Sequence, residues 1–387
     1  MNEDIFDSIR QETLSAGPLA AAGKLVDWFR AKGDLRELFE ALKMQSRIKL
    51  GISAVAVEGD APLTSQQQDV LERDLIDACR EVGLGFLNRG NLEEGWMYMR
   101  PVGDRAATAE ALAQVPVTGD NLDAMLQLLV HEAIDVARGT RLSLEHRGTC
   151  NTITMMESVV RMRGRPEQQA GVRELVLHVH HELLTSLKND IARRENEAPK
   201  DMLIEPILNA RPGLLRDGTY HLDTTHLAAT VRFARVLDDS EALRLALDLA
   251  SYGRQLHPQY QYPSEEPFAD LYPASIAFLR ALLGQQVDAA LRLFQQRAES
   301  LDTQEHGTVA IETYVDLLAR VNRPNDAIQA LIRMMPQGMR PIGIAPSLLE
   351  ICQVANNFQP MVEQSLARRD LIGYAAGLLQ PATLPKA

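Results

Sequence analysis

The residues whose types could do chemistry are concentrated between Gly171 and Arg232. This stretch contains five of the nine histidines of the chain, namely His178, His180, His181, His221 and His226. Histidine titrates near neutral pH, and its ring nitrogens bind metal ions. A group of this size within about sixty residues therefore indicates acid–base or metal chemistry.

The second half of this stretch has the more specific spacing. His221, Asp223 and His226 form an HxDxxH pattern in YHLDTTHL, at the apparent start of a helix. Two histidines and a carboxylate are a common catalytic set for zinc or iron, because they leave coordination positions open for water and substrate. We therefore predict a divalent metal such as zinc, iron or manganese on these three residues, with His181 as a further ligand. In the competing interpretation Asp223 only caps the helix, which is the ordinary role of an aspartate at that position.

Two further side chains would complete such a site. Glu182 lies one helical turn after His178, so both occupy one face of the helix, and we expect Glu182 to act as a base or an additional ligand. Arg232 follows His226 by nearly two turns and could hold an anionic substrate, while Tyr260 or Tyr262 could line the entrance. The alternative is that these histidines are satisfied or exposed side chains with a structural role only.

The elements that must position these residues are helices. An apolar stripe with helical spacing predicts one long helix over residues 171–194. A second helix should begin near Asp223, and Gly148 should break an earlier one. Apolar residues make up 45% of the chain and aromatic residues 5%, which favours helices packed through Leu and Ala over sheets. We predict an all-α fold.

Several helices form pairs joined by short turns. Gly33 should end one helix in a left-handed conformation. Further along the chain, the turns at Gly284, Asn322 and Asn356 are about one repeat length apart. Within residues 66–100, six elements fall at the offsets of the tetratricopeptide repeat: Val82-Gly83, Phe86, Gly90, Leu92, Gly95 and Met99. This unit resembles a tetratricopeptide helix pair, although Gly95 replaces the usual Ala.

The resemblance implies a right-handed α-α superhelix of stacked helical hairpins, interrupted by irregular central insertions. We expect hairpin repeats over 1–115 and 236–387, a histidine-rich helical region over 116–235, and one continuous superhelix. Such a superhelix presents an extended surface that usually binds proteins or peptides. The first functional hypothesis is therefore a scaffold with a protein or peptide partner.

The second hypothesis is a metal-dependent enzyme of the hydrolase or lyase class, acting on a small-molecule substrate at the histidine site. The net charge of −12 argues against nucleic acid or an anionic membrane as a partner. Three cysteines without CxxC pairing fit a reducing cytoplasm. Phosphate-loop, dinucleotide and nucleophile-elbow motifs do not occur in the sequence.

Overall fold

The structure is a computed structural model that describes residues 4–58, 62–336 and 338–380. Every regular element within these ranges is a helix, which confirms the all-α prediction. The chain divides into two compact units, Met1–Leu142 and Ser143–Ala387. This division lies between residues 142 and 143. The three regions expected from the sequence, with boundaries after residues 115 and 235, stay a prediction.

Unit 1 contains seven α-helices before the division. They are α1 (Ile5–Ala16), α2 (Pro18–Lys32), α3 (Leu35–Lys49), α4 (Ser65–Leu87), α5 (Leu92–Val102), α6 (Arg105–Ala113) and α7 (Leu122–Leu126). A π-helical stretch, Gln127–His131, continues α7. The division itself lies within α8 (Val136–Ser158).

Unit 2 contains the remaining twelve α-helices of the described chain. They are α9 (Arg165–Glu195), α10 (Ile204–Asn209), α11 (Thr224–Phe233), α12 (Ser240–Gln255), α13 (Leu271–Leu282), α14 (Val287–Ser300), α15 (Thr303–His306), α16 (Val309–Arg320), α17 (Pro324–Met334), α18 (Leu348–Ala355), α19 (Gln359–Ala367) and α20 (Leu371–Leu378). Short 3₁₀ turns lie at Val160–Met162, Arg216–Gly218, Ala234–Val236 and Pro258–Tyr260. None of the described helices is both long and apolar enough to span a membrane.

The helices pack largely as sequential pairs. In unit 1, α2 packs on α3 and α4 on α5. Gly33 has φ +71° and its N–H caps α2, which confirms the predicted left-handed C-cap. In unit 2 the turns between α16 and α17 and between α18 and α19 use Asn322 and Asn356 at φ +61° and +51°. Asparagine is one of the few residues that tolerate this conformation.

Two glycines allow a close approach between α4 and α5. A Cβ atom on Gly95 would lie 2.5 Å from Leu87 Cδ2 and 3.0 Å from the Leu87 backbone nitrogen. A Cβ on Gly83 would lie 2.8 Å from Met99 Cγ. The α4 and α5 backbones therefore approach so closely that only glycine fits at these contacts.

The C-terminal helices of unit 2 share one hydrophobic core. It includes the buried Ala290 and Ala327 of the predicted hairpins. Phe268, Phe278 and Phe294 form an aromatic group within it, with ring centroids 5.2–5.7 Å apart.

Gly148 lies inside α8 with φ +80° and ψ 171°, so the helix is broken there as predicted. The predicted helix over 171–194 lies within α9, and α11 begins directly after Asp223. The elements that carry the candidate site residues are therefore those that the sequence indicates.

Candidate functional site

The three histidines of α9 have different surroundings. His180 is buried, and its Nε2 lies 2.7 Å from Asp248 Oδ2 on α12. His178 is partly exposed and lies 3.5 Å from Glu182, the partner expected from their helical spacing. His181 is exposed. One helix thus directs its histidines into the core, along its flank and outward.

The carboxylate of Asp248 joins three helices. Besides its contact with His180 it accepts hydrogen bonds from the backbone N–H groups of Ile204 (2.7 Å) and Glu205 (2.8 Å) at the start of α10. A carboxylate at a helix N-terminus satisfies N–H groups that have no partner within the helix. Asp248 therefore attaches the inserted segment between α9 and α11 to the body of unit 2.

His221 makes the second attachment of the same segment. Its Nε2 lies 3.1 Å from Asp190 Oδ2, and its Nδ1 lies 3.2 Å from Tyr252 Oη. Its backbone N–H also donates to Tyr252 Oη, at 2.9 Å. The pattern is consistent if Nε2–H donates to Asp190 and the tyrosine hydroxyl donates to Nδ1. Both ring nitrogens are then used.

Burial lowers the pKa of His221, and the hydrogen bond to Asp190 only partly opposes this effect. Burial raises the pKa of Asp190, but hydrogen bonds from His221 and Arg194 outweigh it and leave that pKa below its usual value. Asp190 is therefore ionised and His221 neutral at neutral pH. The arrangement resembles the orientation of a catalytic base by a carboxylate, but the His221 side chain is only 4% exposed. It leaves no lone pair or proton available for a substrate.

The structure does not bring the four predicted metal ligands together. Asp223 caps α11, where it accepts hydrogen bonds from the N–H groups of Thr225 (2.8 Å) and His226 (3.4 Å). Its pKa is lowered by the Thr225 hydroxyl and by these N–H groups. Within the described ranges, no three His, Cys, Asp or Glu side chains are grouped so that they could hold a metal ion. His221, Asp223, His226 and His181 thus lie on one stretch of chain without forming a ligand set.

The two residues expected to catalyse do not share a hydrogen bond with His221. Glu182 accepts a hydrogen bond from Thr149 Oγ1 at 3.3 Å and lies beside His178 on α9. Arg232, on α11, makes no hydrogen bond or ion pair with the described residues. Its charge influences Arg235 and Tyr272, so Arg232 lies near the polar groups of these two residues.

Sequence reasoning missed several residues of these networks. Asp190, Asp248 and Tyr252 are ordinary members of amphipathic helices, and nothing in their spacing marks them as partners of histidines. Arg235 follows Arg232 by three residues, so both lie near one helical face. That spacing is the only sequence signal that could have indicated a paired-arginine site.

A groove of about 450 Å³ lies between α14, α16 and α17. Each helix turns one face into it, because the lining residues on each helix recur at helical spacing. Its lining residues are Asp288, Leu291, Arg292, Gln295, Tyr314, Leu318, Arg323, Asp326, Gln329, Ala330 and Arg333. Arg323 bridges the rim through Asp288 at 2.8 Å, and Arg333 pairs with Glu299 at 3.2 Å.

Comparisons with known protein families, with curated proteins and with solved structures found nothing that matches this chain.

Proposed function

We propose that this chain is a helical scaffold that binds a protein or peptide segment carrying acidic side chains. The single observation that carries the proposal is the polar groove between α14, α16 and α17. Its size is that of a site that takes a few side chains of a partner. The finer architecture belongs to the same proposal: the hairpins from α13 to α19 would stack as in a right-handed, tetratricopeptide-like superhelix.

The charge of the groove supports an acidic partner. Three arginines and two aspartates line it, in a chain whose net charge is −12. Arg323 is neutralised by Asp288, and Arg333 by Glu299. Arg292 has no hydrogen bond or ion pair within the described part of the chain. It is therefore the cation that a partner carboxylate would meet.

Tyr314 gives the groove an aromatic side chain with a polar end. Its hydroxyl lies 3.4 Å from Gln295 Oε1. Tyr314 and Leu318 both line the groove from α16. Tyr and Arg are enriched among the residues that dominate binding energy at interfaces. All three cysteines are free, and a cytoplasmic location is part of this proposal because free thiols persist in a reducing compartment.

The test is selection of a phage-displayed library of random short peptides on the full chain. We expect enriched peptides to be acidic, and each to bind Arg292→Glu at least about tenfold more weakly, because a charge-assisted contact becomes a repulsive one. Binding to the wild type should also weaken with added salt.

The matched control is Arg244→Glu, which reverses an exposed arginine on α12 and should leave peptide affinity unchanged. Selection of the same peptides by Arg292→Glu, or no enrichment over a bare surface, would contradict the proposal. Far-UV circular dichroism of both variants checks that the helices are intact.

A further inference from the structure

Four hydrogen-bonding atoms are shielded from solvent in unit 2 without any partner among the described residues. They are Arg235 Nε, Arg235 Nη2, Tyr272 Oη and Ser275 Oγ. Tyr272 is 1% exposed and Ser275 is fully buried. A buried polar group without a hydrogen bond costs about 1–3 kcal/mol, so several in one region indicate that something else satisfies them.

These atoms belong to elements in contact. Arg235 lies in the 3₁₀ turn Ala234–Val236, which continues α11 and packs against α13. Tyr272 and Ser275 are three residues apart on α13, so both lie on one face of that helix. Arg232 precedes the turn on α11, which also packs on α13.

The guanidinium of Arg235 lies over an aromatic ring. Its Cζ is 3.4 Å from the centroid of the Phe268 ring, and Phe268 is itself buried among other aromatic residues. A cation–π contact of this kind does not use the N–H groups of the guanidinium as hydrogen-bond donors. The two unpartnered nitrogens, Nε and Nη2, form one edge of the guanidinium.

That edge has a specific chemical preference. Two parallel N–H groups of a guanidinium match two oxygens of a carboxylate or phosphate group in a bidentate contact. Tyrosine and serine hydroxyls can donate to the same kind of oxygen. Water would satisfy individual donors but would not neutralise the charge.

The local charge balance also favours an anion. Burial, with a smaller contribution from the nearby Arg232, lowers the pKa of Arg235 to about 9, and Glu265 opposes both effects. Arg235 remains protonated at neutral pH, and Glu265 forms no ion pair with it. Arg232 also lacks an ion pair within the described ranges. Arg235, whose Nε and Nη2 are shielded from solvent, therefore carries a charge that an anion would offset.

We propose that unit 2 contains a binding site for a small oxyanion, a carboxylate or phosphate group, held by the Nε/Nη2 edge of Arg235 and assisted by Arg232, Tyr272 and Ser275. This site is separate from the groove between α14, α16 and α17, and neither proposal depends on the other.

The test is the thermal unfolding midpoint of the full chain in increasing sodium phosphate or sodium acetate, against sodium chloride at equal ionic strength. We expect phosphate, acetate or both to raise the midpoint saturably, since a ligand that binds only the folded state stabilises it. The two salts separate a phosphate-type site from a carboxylate-type site.

Arg235→Lys keeps the charge but removes the two-pronged edge, so it should weaken the apparent affinity at least about tenfold. Tyr272→Phe removes a single hydroxyl oxygen, and it tests the anion site if Arg235→Lys does not fold. Its affinity should fall about threefold to tenfold. Arg244→Lys, on the exposed face of α12, is the matched control and should respond like the wild type.

A response to phosphate and acetate no larger than that to chloride would overturn the proposal. An unchanged response in folded Arg235→Lys would overturn it equally, as would an unchanged response in Tyr272→Phe if that variant alone can be measured.

Discussion

At the scale of single residues, His221 shows how burial decides the role of a side chain that could do chemistry. Its type and its HxDxxH spacing indicate a ligand or a base. In the folded chain both ring nitrogens are used, by Asp190 and Tyr252. The Nε2 atom of His180 likewise forms a hydrogen bond with Asp248. Two buried histidine–aspartate pairs therefore attach the inserted segment between α9 and α11.

Replacing His221 with alanine tests this structural role. We expect His221→Ala to lower the free energy of unfolding by about 2–4 kcal/mol, because it leaves a cavity and removes hydrogen bonds from Asp190 and Tyr252. Urea denaturation followed by circular dichroism measures the change. His181→Ala, at an exposed position on α9, should stay within about 0.5 kcal/mol of the wild type. Equal effects of the two changes would argue against the network.

The same pair of variants shows the pH dependence. The pKa of His221 is lowered in the folded protein, so the unfolded chain binds a proton at higher pH than the folded chain does. The contribution of His221 to stability is therefore complete above about pH 6.5, the ordinary histidine value, and is lost as the pH falls from there through the folded-state pKa. Asp190, whose pKa is also lowered, acts in the same direction at lower pH.

Measuring the free energy of unfolding between about pH 7.5 and 5 separates these effects. His221→Ala should show a shallower loss of stability below about pH 6.5 than His181→Ala does. A steeper loss in His221→Ala would mean that His221 gains its proton on folding, which is the opposite of what burial of a neutral imidazole produces.

At the scale of elements, helix pairs are defined by how closely their backbones approach. In α4 and α5 the approach leaves no room for a Cβ at Gly95, because Leu87 lies only 2.5 Å from the position that this atom would take. Gly23, inside α2, has a single neighbour at 3.4 Å, the flexible end of Gln45. Both glycines lie inside helices, but only Gly95 is tightly packed against another helix.

Gly95→Ala and Gly23→Ala should therefore change stability in opposite directions. We expect Gly95→Ala to cost about 1–3 kcal/mol, since overpacking outweighs the better helix propensity of alanine. Gly23→Ala should be neutral or stabilise by up to about 1 kcal/mol. Chemical denaturation of both variants gives the comparison. If Gly95→Ala is as stable as Gly23→Ala, the close approach of α4 and α5 is not tight.

At the scale of the whole molecule, the features on which the two proposals rest lie in unit 2. The inserted segment is attached through Asp248 and Tyr252 on α12. The unpartnered donors of Arg235 and Tyr272 lie around α13. The polar groove lies between α14, α16 and α17. Unit 1 contributes a core of paired helices, with Val82 and Leu38 among its most buried side chains.

Metal content of the purified chain tests the remaining interpretation of the histidines. We expect a His221→Ala/His226→Ala double variant to retain the same metal content as the wild type, because these side chains do not share a ligand set among the residues that the structure describes. Inductively coupled plasma mass spectrometry of tag-free protein makes the measurement. One equivalent of zinc, iron or manganese that disappears in the double variant would restore the metal hypothesis.

The sequence by itself determined the helical character of this protein and many of its boundaries. Gly33, Asn322 and Asn356 mark turns, Gly148 marks a break and Asp223 marks a helix start, because each residue has a strong local conformational preference. Helical periodicity is also local, so α9 follows directly from its apolar stripe.

Only the tertiary structure decided which side chains of different helices form hydrogen bonds with one another. Asp190 and Tyr252 are separated from His221 by 31 residues on either side, and Asp248 from His180 by 68. No local pattern specifies such partners, since they depend on which helices pack together. The same holds for Arg235 and Tyr272. Their hydrogen-bonding atoms lack partners only because the folded structure shields them from water. Local conformational preferences determine where the helices begin and end. Burial and long-range contacts determine which partners their side chains have, and therefore what chemistry those side chains can do.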